Sequence, residues 1–418
     1  MASPATQGSE ERAGYVAFSS PDFLLFQAAR FFIVAALEMQ SVAIGWQVYE
    51  ITKKPLDLGL VGLAQFLPGI FLFLAAGHVA DRFSRRSVLL CCYAGFGMCS
   101  SLLLVLALRT SPSVLMIYAV VLLLGVVRTF NGPAGRAILP QLVPIEHFPN
   151  AVTWNATTFQ AATISGPALG GLLYAVSHGP RAVYGGAILA AITASVLMWS
   201  ILPRAQAARN AKTASVFAGF RYVWKQKLIL ALISLDMFAV LLGGAVALLP
   251  VYAREILHIG PWGLGILRSS PAVGAAIMAF FLAHNPLRKN VGSVMLWCVG
   301  GFGVFTIVFG LSRSIPLSLL ALLLSGAFDM VSVVIRGTLV QLATPDEMRG
   351  RVTAVDMIFI GTSNELGQFE SGLTAAWFGT VPAVVLGGIG TLCVIGVWAW
   401  IFPELREANE MTGEKAEA

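Results

Sequence analysis

Arg136-Ala-Ile-Leu139-Pro-Gln141-Leu142 and Arg336-Gly-Thr-Leu339-Val-Gln341-Leu342 repeat one pattern, Arg-x-x-Leu-x-Gln-Leu, at an offset of 200 residues. Val152-Thr153 and Val352-Thr353 keep that offset, while Tyr49, Gly62 and Pro68 recur as Tyr252, Gly265 and Pro271 at an offset of 203. Chance identity is common among apolar residues, but a matched Arg and Gln in one register is polar and specific. The chain reads as two related halves.

Outward from the repeats the sequence is apolar. Of 418 residues 57% are hydrophobic and 11% charged, against roughly 25% charged in soluble domains. That excludes an ordinary water-soluble protein and calls for lipid as solvent. With about 20 apolar residues needed per crossing, twelve candidate spans emerge: 22–49, 56–79, 87–108, 113–134, 150–178, 181–202, 228–253, 260–284, 291–312, 315–336, 352–378 and 381–402. Most connections are short and marked by Pro or Gly. The exception, 203–227, is a basic linker without acids, with a short amphipathic helix expected around Val216 to Trp224 on the membrane surface. The expected organisation is an N-terminal tail (1–21), a six-helix bundle (22–202), the linker (203–227), a second six-helix bundle (228–402) and a C-terminal tail (403–418). A parallel repeat of two such bundles is a transporter arrangement, with substrate bound near the bilayer midplane.

The net charge of +6 is a topology signal rather than a nucleic-acid footprint. With the N-terminus inside, 18 of the 27 Lys and Arg fall in cytoplasmic segments and 6 in the opposite loops, the other three lying within spans. Both termini are therefore expected in the cytoplasm. No basic region precedes a short apolar one at the N-terminus, so no cleavable leader is expected. Cys91, Cys92, Cys99, Cys298 and Cys393 all lie in apolar stretches without CxxC spacing, as small core residues do. No metal site and no cofactor are expected.

After the second span stands Gly77-His-Val-Ala-Asp81-Arg82-Phe-Ser84-Arg85-Arg86, which resembles the G-x-x-x-D-R-x-G-R-R loop signature of the major facilitator superfamily, with Ser84 for the second Gly. Arg128-Thr-Phe-Asn131-Gly132 is similar to the family's R-x-x-Q-G element, and Gly166-Pro167-Ala-Leu-Gly170-Gly171 to the G-P-x-x-G-G element of its exporters. Close helix packing also accounts for the last motif. Glu38 to Tyr49, Thr344 to Val352 and Ser363 to Gly372 resemble the bacterial branch of enterobactin-exporter-like proteins. The resemblance covers essentially the whole chain. It implies an all-α fold of twelve transmembrane helices in two pseudo-symmetric bundles, acting as a monomer in the bacterial inner membrane. It also implies proton-coupled export of a small amphipathic compound (a drug, siderophore or secondary metabolite), with uptake by the same architecture as the alternative. The loop signature implies a gate in which Asp81, Arg82, Arg85 and Arg86 work with Arg349 and Arg351 at the start of span 11.

Charges within spans cost at least about 2.5–3.5 kcal/mol by insertion scales, so each needs a partner and an inward-facing position. They are Arg30, Glu38, Arg128, Asp236, Arg268, Asp329, Asp356, Glu365 and Glu370. Arg30 and Asp356, close to the cytoplasmic ends, fit structural pairs. Glu38, near the middle of span 1, is the first candidate for proton exchange, with Arg128 as a switchable partner; Asp236, Arg268, Asp329, Asn364, Glu365 and Glu370 complete the candidate cavity. Trp46, Phe66, Trp154, Phe159, Phe238 and Phe359 are candidates for an apolar pocket, although aromatic residues also fill cores and interfacial belts. H-E-x-x-H, G-x-S-x-G and the P-loop pattern are absent from the sequence, which argues against an enzyme or an ATP-driven pump. A receptor or scaffold would explain helices but not the repeat.

Overall fold

The computed structural model describes residues 16–109, 112–202, 216–287 and 289–407. Six long helices come first: α1 (Pro21–Thr52), α2 (Pro55–Arg82), α3 (Arg85–Leu108), α4 (Val114–Leu142), α5 (Phe148–Val176) and α6 (Arg181–Ser200). A ten-residue helix, α7 (Val216–Lys225), precedes α8 (Lys227–Gly243), α9 (Gly260–His284), α10 (Val291–Leu311), α11 (Ile315–Leu342), α12 (Asp346–Phe378), α13 (Thr380–Ile401) and the short α14 (Pro403–Glu407). The linker is described only from residue 216; the expectations for 203–215 and for the tails 1–15 and 408–418 lie outside the described residues.

Among the described residues, ten helices are long and apolar enough to cross a bilayer. Of the twelve spans, α5 and α12 are the remaining two, because they carry Asn150, Asn155 and Gln160, and Asp356, Glu365 and Glu370, respectively. Each also exposes one face. On α5 this holds Val152, Thr153, Ala156, Thr157 and Phe159; on α12 it holds Thr353, Met357, Gly361 and Asn364, at spacings that put them in line.

Two helices run further than the sequence predicts. Instead of ending at 134 and 336, α4 and α11 continue to Leu142 and Leu342. Pro133 and Pro140 lie inside α4 without ending it, as neighbouring helices allow in a membrane bundle. Arg136 and Arg336, which the sequence alone presents as topology-setting charges near span ends, are therefore inside helices. Span 7 departs in the other direction. Helix α8 stops at Gly243, and the chain continues through 3-10 turns at Ala245–Leu248 and a helical turn at Leu249–Val251 into a π-helix at Tyr252–Ile256.

Packing divides the chain into two compact units, Met1–Gln47 with Leu67–Ala208, and Val48–Phe66 with Arg209–Ala418. In the first unit, polar side chains lock α1 to its neighbours. Tyr184 donates its hydroxyl to buried Gln47 Oε1 at 2.6 Å, and Ser100 donates to Gln40 Oε1 at 3.1 Å. Ser20 Oγ donates to the Leu142 carbonyl at 2.6 Å, joining the start of α1 to the end of α4. Hydrogen bonds between helices replace the hydrophobic drive that lipid removes.

In the second unit, small residues bring backbones together. A Cβ on Gly274 of α9 would lie 1.8 Å from the Leu323 carbonyl oxygen, and one on Gly326 of α11 2.0 Å from that of Pro271. Neither position tolerates any side chain. Thr391 donates to the Ala239 carbonyl at 3.0 Å, and Trp398 Nε1 to Ser234 Oγ at 2.9 Å. Segment 48–66, the end of α1 and the start of α2, packs here too: Gly59 faces Gly372 and Phe369 of α12, Tyr49 donates to Glu255 of the π-helix, and Glu50 pairs with Arg254 at 3.4 Å. Helix α7 seats buried Val223 in the core of the unit and brings Gly219 against the backbone of Arg351, leaving Trp224 exposed.

Candidate coupling and substrate site

The densest group of charges lies in the second unit, where α8, α11 and α12 bring Asp236, Arg336 and Asp356 together. Arg336 is 3% exposed and Asp236 6% exposed. One guanidinium nitrogen, Nη2, lies 3.3 Å from Asp236 Oδ2; the other, Nη1, donates to Asp356 Oδ1. Asp329, two turns before Arg336 on α11, is within electrostatic reach of both Arg336 and Asp236. Arg336 is thus the hub for three carboxyl groups drawn from three helices. Its planar fork suits two acceptors at once, and its long side chain reaches across the helix contact from a register set by the apolar face of α11. Asp236, Asp329 and Asp356 are visible in the sequence as charges within spans; the hub is not. The available signal is the repeat pattern that begins with Arg136 and Arg336.

In the first unit, the exporter-type motif acts first through space. Gly166 of α5 sits against Glu38 and Ala35, where a Cβ would lie 2.6 Å from Glu38 Cβ and 2.8 Å from the Ala35 carbonyl oxygen. A Cβ on Gly170 would lie 2.7 Å from the Met39 backbone. Gly166, Pro167, Gly170 and Gly171 are all buried. Close packing and a role at Glu38 are therefore one arrangement: the glycines admit the α1 backbone where that half-buried acid stands.

Arg128 and Arg136 are exposed on α4 with Gly132 midway between them, four residues from each. Arg30 of α1 is half-buried, lies within electrostatic range of Arg136 and stacks over the Phe159 ring at 5.7 Å. Of the aromatic candidates, Phe159 is 45% exposed, whereas Trp46 is buried edge-on to Tyr174 and Phe238 packs on Trp398. Trp154 packs on Phe18 and Phe359 on Phe220; Phe66 is half-buried.

The remaining candidates are more local. Arg268 and Glu365 are half-buried on α9 and α12. Asn364 is exposed and donates to the Ile360 carbonyl at 2.9 Å; Glu370 accepts from Thr374 Oγ1 at 2.7 Å, within its own helix. In the loop signature, Gly77 is half-buried and Asp81 and Arg82 are exposed at the end of α2, with Arg85 half-buried. Arg86 acts as a brace. Its Nε donates to the Met198 carbonyl at 3.2 Å, its Nη2 to that of Trp199, and its guanidinium lies 5.2 Å from the Trp199 ring. It thereby closes the C-terminal end of α6, where a cation is favoured. At the start of α12, Arg349 pairs with Asp346 at 2.6 Å and Arg351 Nη1 donates to Met348 Sδ at 3.2 Å.

Comparison with known proteins places these features. Residues 14–417 match the family model described as transmembrane secretion effector. An enterobactin exporter, EntS, from Citrobacter koseri is 28% identical over 402 residues, covering 93% of this chain and 94% of that protein; EntS from Escherichia coli is 27% identical over the same shares. Among solved structures, a mutant of the nucleoside transporter NupG superposes with TM-score 0.71 at 15% identity, covering 91% of this chain and all of that one. An inward-facing, occupied bacterial homologue of the human lysosomal transporter Spinster also reaches 0.71, at 12% identity over 96% of this chain and 99% of that one. Such low identities speak for the fold. With the match to the family model along almost its full length, the chain belongs to the transmembrane secretion effector family of major facilitator transporters.

Proposed function

We propose that this chain is a proton-coupled exporter of the bacterial inner membrane that moves a small amphipathic compound of the siderophore class outward by alternating access, with both termini in the cytoplasm. The observation that carries the reading is the cluster in which Asp236 and Asp356 share one guanidinium, that of Arg336, with Asp329 within electrostatic reach. Surplus negative charge is costly at bilayer depth, and a bound proton removes it. A conformational change that alters the pairing or the access of water alters the number of protons held, which is the coupling an antiporter needs. Glu38, held against Gly166, supplies an acid for the same work in the first unit. Arg128, Arg268, Asn364, Glu365 and Glu370 are assigned to the substrate cavity, and the loop from Gly77 to Arg86, with Arg349 and Arg351, to gating. Export and substrate class are carried over from the secretion family and from relatives named as enterobactin exporters; the cytoplasmic termini rest on the charge asymmetry of the loops. The protein acts as a monomer in the lipid bilayer.

The test is flux in proteoliposomes against a panel of iron-chelating and drug-like compounds. Substrate should move against an opposing proton gradient and stop when a protonophore collapses it. Asp329→Asn and Glu38→Gln should each uncouple flux from the gradient while retaining binding. Movement of substrate in the same direction as the protons would replace export with uptake, and flux indifferent to the gradient in the wild type would remove proton coupling.

A further inference from the structure

The acidic hub of the second unit leaves polar atoms to be accounted for. Two nitrogens of the Arg336 guanidinium are taken, Nη2 by Asp236 and Nη1 by Asp356, while the third, Nε, is buried with no hydrogen-bond acceptor among the described residues. One turn earlier on α11, Ser332 is 2% exposed and its hydroxyl has no partner among them either. Other buried hydroxyls of this unit behave differently. Those of Ser269, Ser270 and Thr306 donate to the carbonyl four residues back at 2.8 to 3.0 Å, and that of Ser325 to the one three residues back, which is how a helix ordinarily absorbs a hydroxyl.

Asp329, Ser332 and Arg336 stand at i, i+3 and i+7, within about 60° of one another around the helix axis, so their side chains line one face of α11. Asp329, half-buried, is the least enclosed of the three. It lies within electrostatic reach of Arg336 and of Asp236 on α8. The other helices around α11 add Arg268, half-buried on α9, and Asp356 on α12; α10 carries no charged side chain. An N–H that needs an acceptor, a hydroxyl and a carboxyl group on one face match the three partners that a buried water molecule typically takes.

We propose that Arg336 Nε, Ser332 Oγ and the Asp329 carboxyl group hold one ordered water, and that Asp329 is the acid of this cluster that exchanges a proton through it, with Asp236 and Asp356 as fixed counter-charges. With Asp329 ionised, the water accepts from the Arg336 Nε–H and the Ser332 hydroxyl and donates to the carboxylate. A proton delivered from bulk water bonds to the bound water's oxygen as that water's own proton passes to Asp329, so one O–H bond forms and one breaks at the water. The new Asp329 O–H then donates to the water, which donates in turn to Ser332 Oγ. The serine hydroxyl swings to the Phe328 carbonyl, four residues back. The assignment rests on the coupling role given to this cluster, but its first test needs no flux.

Infrared difference spectra between acidic and neutral pH, recorded on the purified full-length protein in ordinary and in heavy-oxygen water, read the bound water directly. A water O–H band that moves on isotope exchange should accompany the carboxylic-acid band that Asp329→Asn removes. Ser332→Ala should shift or erase the water band and change the proton affinity of Asp329 by about three- to tenfold, the span of one hydrogen bond. Ser332→Thr keeps a hydroxyl and should restore both. In flux assays Ser332→Ala should move the pH profile and leave the substrate KM in place. A wild-type spectrum without an isotope-sensitive band overturns the site whether or not any variant folds. A water band untouched by Ser332→Ala, or a carboxylic-acid band that survives Asp329→Asn, overturns it as well. Absent proton-driven flux with the water band intact would instead remove the coupling reading and leave the water site standing.

Discussion

Arg136 and Arg336 occupy the same place in two copies of one helical unit, yet the second is sealed among carboxylates at 3% exposure while the first is exposed beside another arginine. The repeat thus fixes where a cation stands; the residues that differ between the halves decide what it does. In the second unit the cost of burying charge is offset internally, and the cluster becomes part of the bundle's architecture. In the first unit the corresponding arginine is exposed. Duplication supplies the scaffold and divergence at a few positions, Ala156 against Asp356 and Thr129 against Asp329, supplies the division of labour.

The sharpest way to break the comparison is to remove each cation in turn. Arg336→Gln leaves its carboxylates without their counter-charge, a change that costs about 3–5 kcal/mol when one member of a buried pair is deleted. Arg136→Gln, at an exposed site, should cost less than about 1 kcal/mol. Unfolding titrations in mixed micelles measure both. Equal losses would mean that the two positions are energetically alike and that the contrast in burial is immaterial. Pairing Arg336→Gln with Asp236→Asn should recover part of the larger loss, because buried polar groups without net charge are cheaper than an orphaned carboxylate; no recovery would assign the cost to packing instead.

A milder experiment restores the symmetry. Ala156→Asp places in α5 the acid that the second half carries as Asp356, one turn before Phe159 on an exposed face. Stability should change by less than about 1 kcal/mol at such a position, as read by the same unfolding titrations. A larger loss would show that this face of α5 cannot hold an acid.

How far the sequence reveals this contrast depends on the kind of signal. Twelve spans and their pairing into halves are legible because apolar length and a polar repeat are local or evenly spaced. The ends of α4 and α11 are not, since Pro133 and Pro140 are residues that end helices in water and are tolerated inside a bundle, and Arg336 ends an apolar run without ending the helix. That misplacement turns Arg136 and Arg336 into loop charges and hides the hub of the acidic cluster. The acids stand out because a carboxylate inside an apolar run is conspicuous alone; their convergence on one side chain is a tertiary fact. Gln40 and Gln47 escape notice because an amide in a span is inexpensive enough to look ordinary. Among the motif residues, Arg86 reads as part of a gate, and its contacts with the end of α6 cannot be inferred from a loop pattern.

The smallest effect belongs to a second Arg–Asp pair in the same unit. Arg349 and Asp346 lie 2.6 Å apart at the start of α12, closer than the 3.3 Å between Arg336 and Asp236, yet their side chains are 51% and 83% exposed. Distance alone would rank the exposed pair higher. Solvent reverses the order: in water two side chains must be immobilised for a screened attraction, and exposed pairs contribute about 0–1 kcal/mol. Asp346 also stands in the first turn of α12, where a negative charge gains about 0.3–1 kcal/mol from the helix dipole at low ionic strength. Asp346→Asn should therefore cost less than about 1 kcal/mol, and most of that should vanish at high salt as the Debye length shrinks to about 3 Å near 1 M. The deficit of Arg336→Gln should persist at high salt, because ions do not enter the core where that guanidinium lies. The salt dependence of the two deficits separates a charge that organises the bundle from one that decorates it, and a salt-sensitive Arg336→Gln deficit would place Arg336 in contact with solvent.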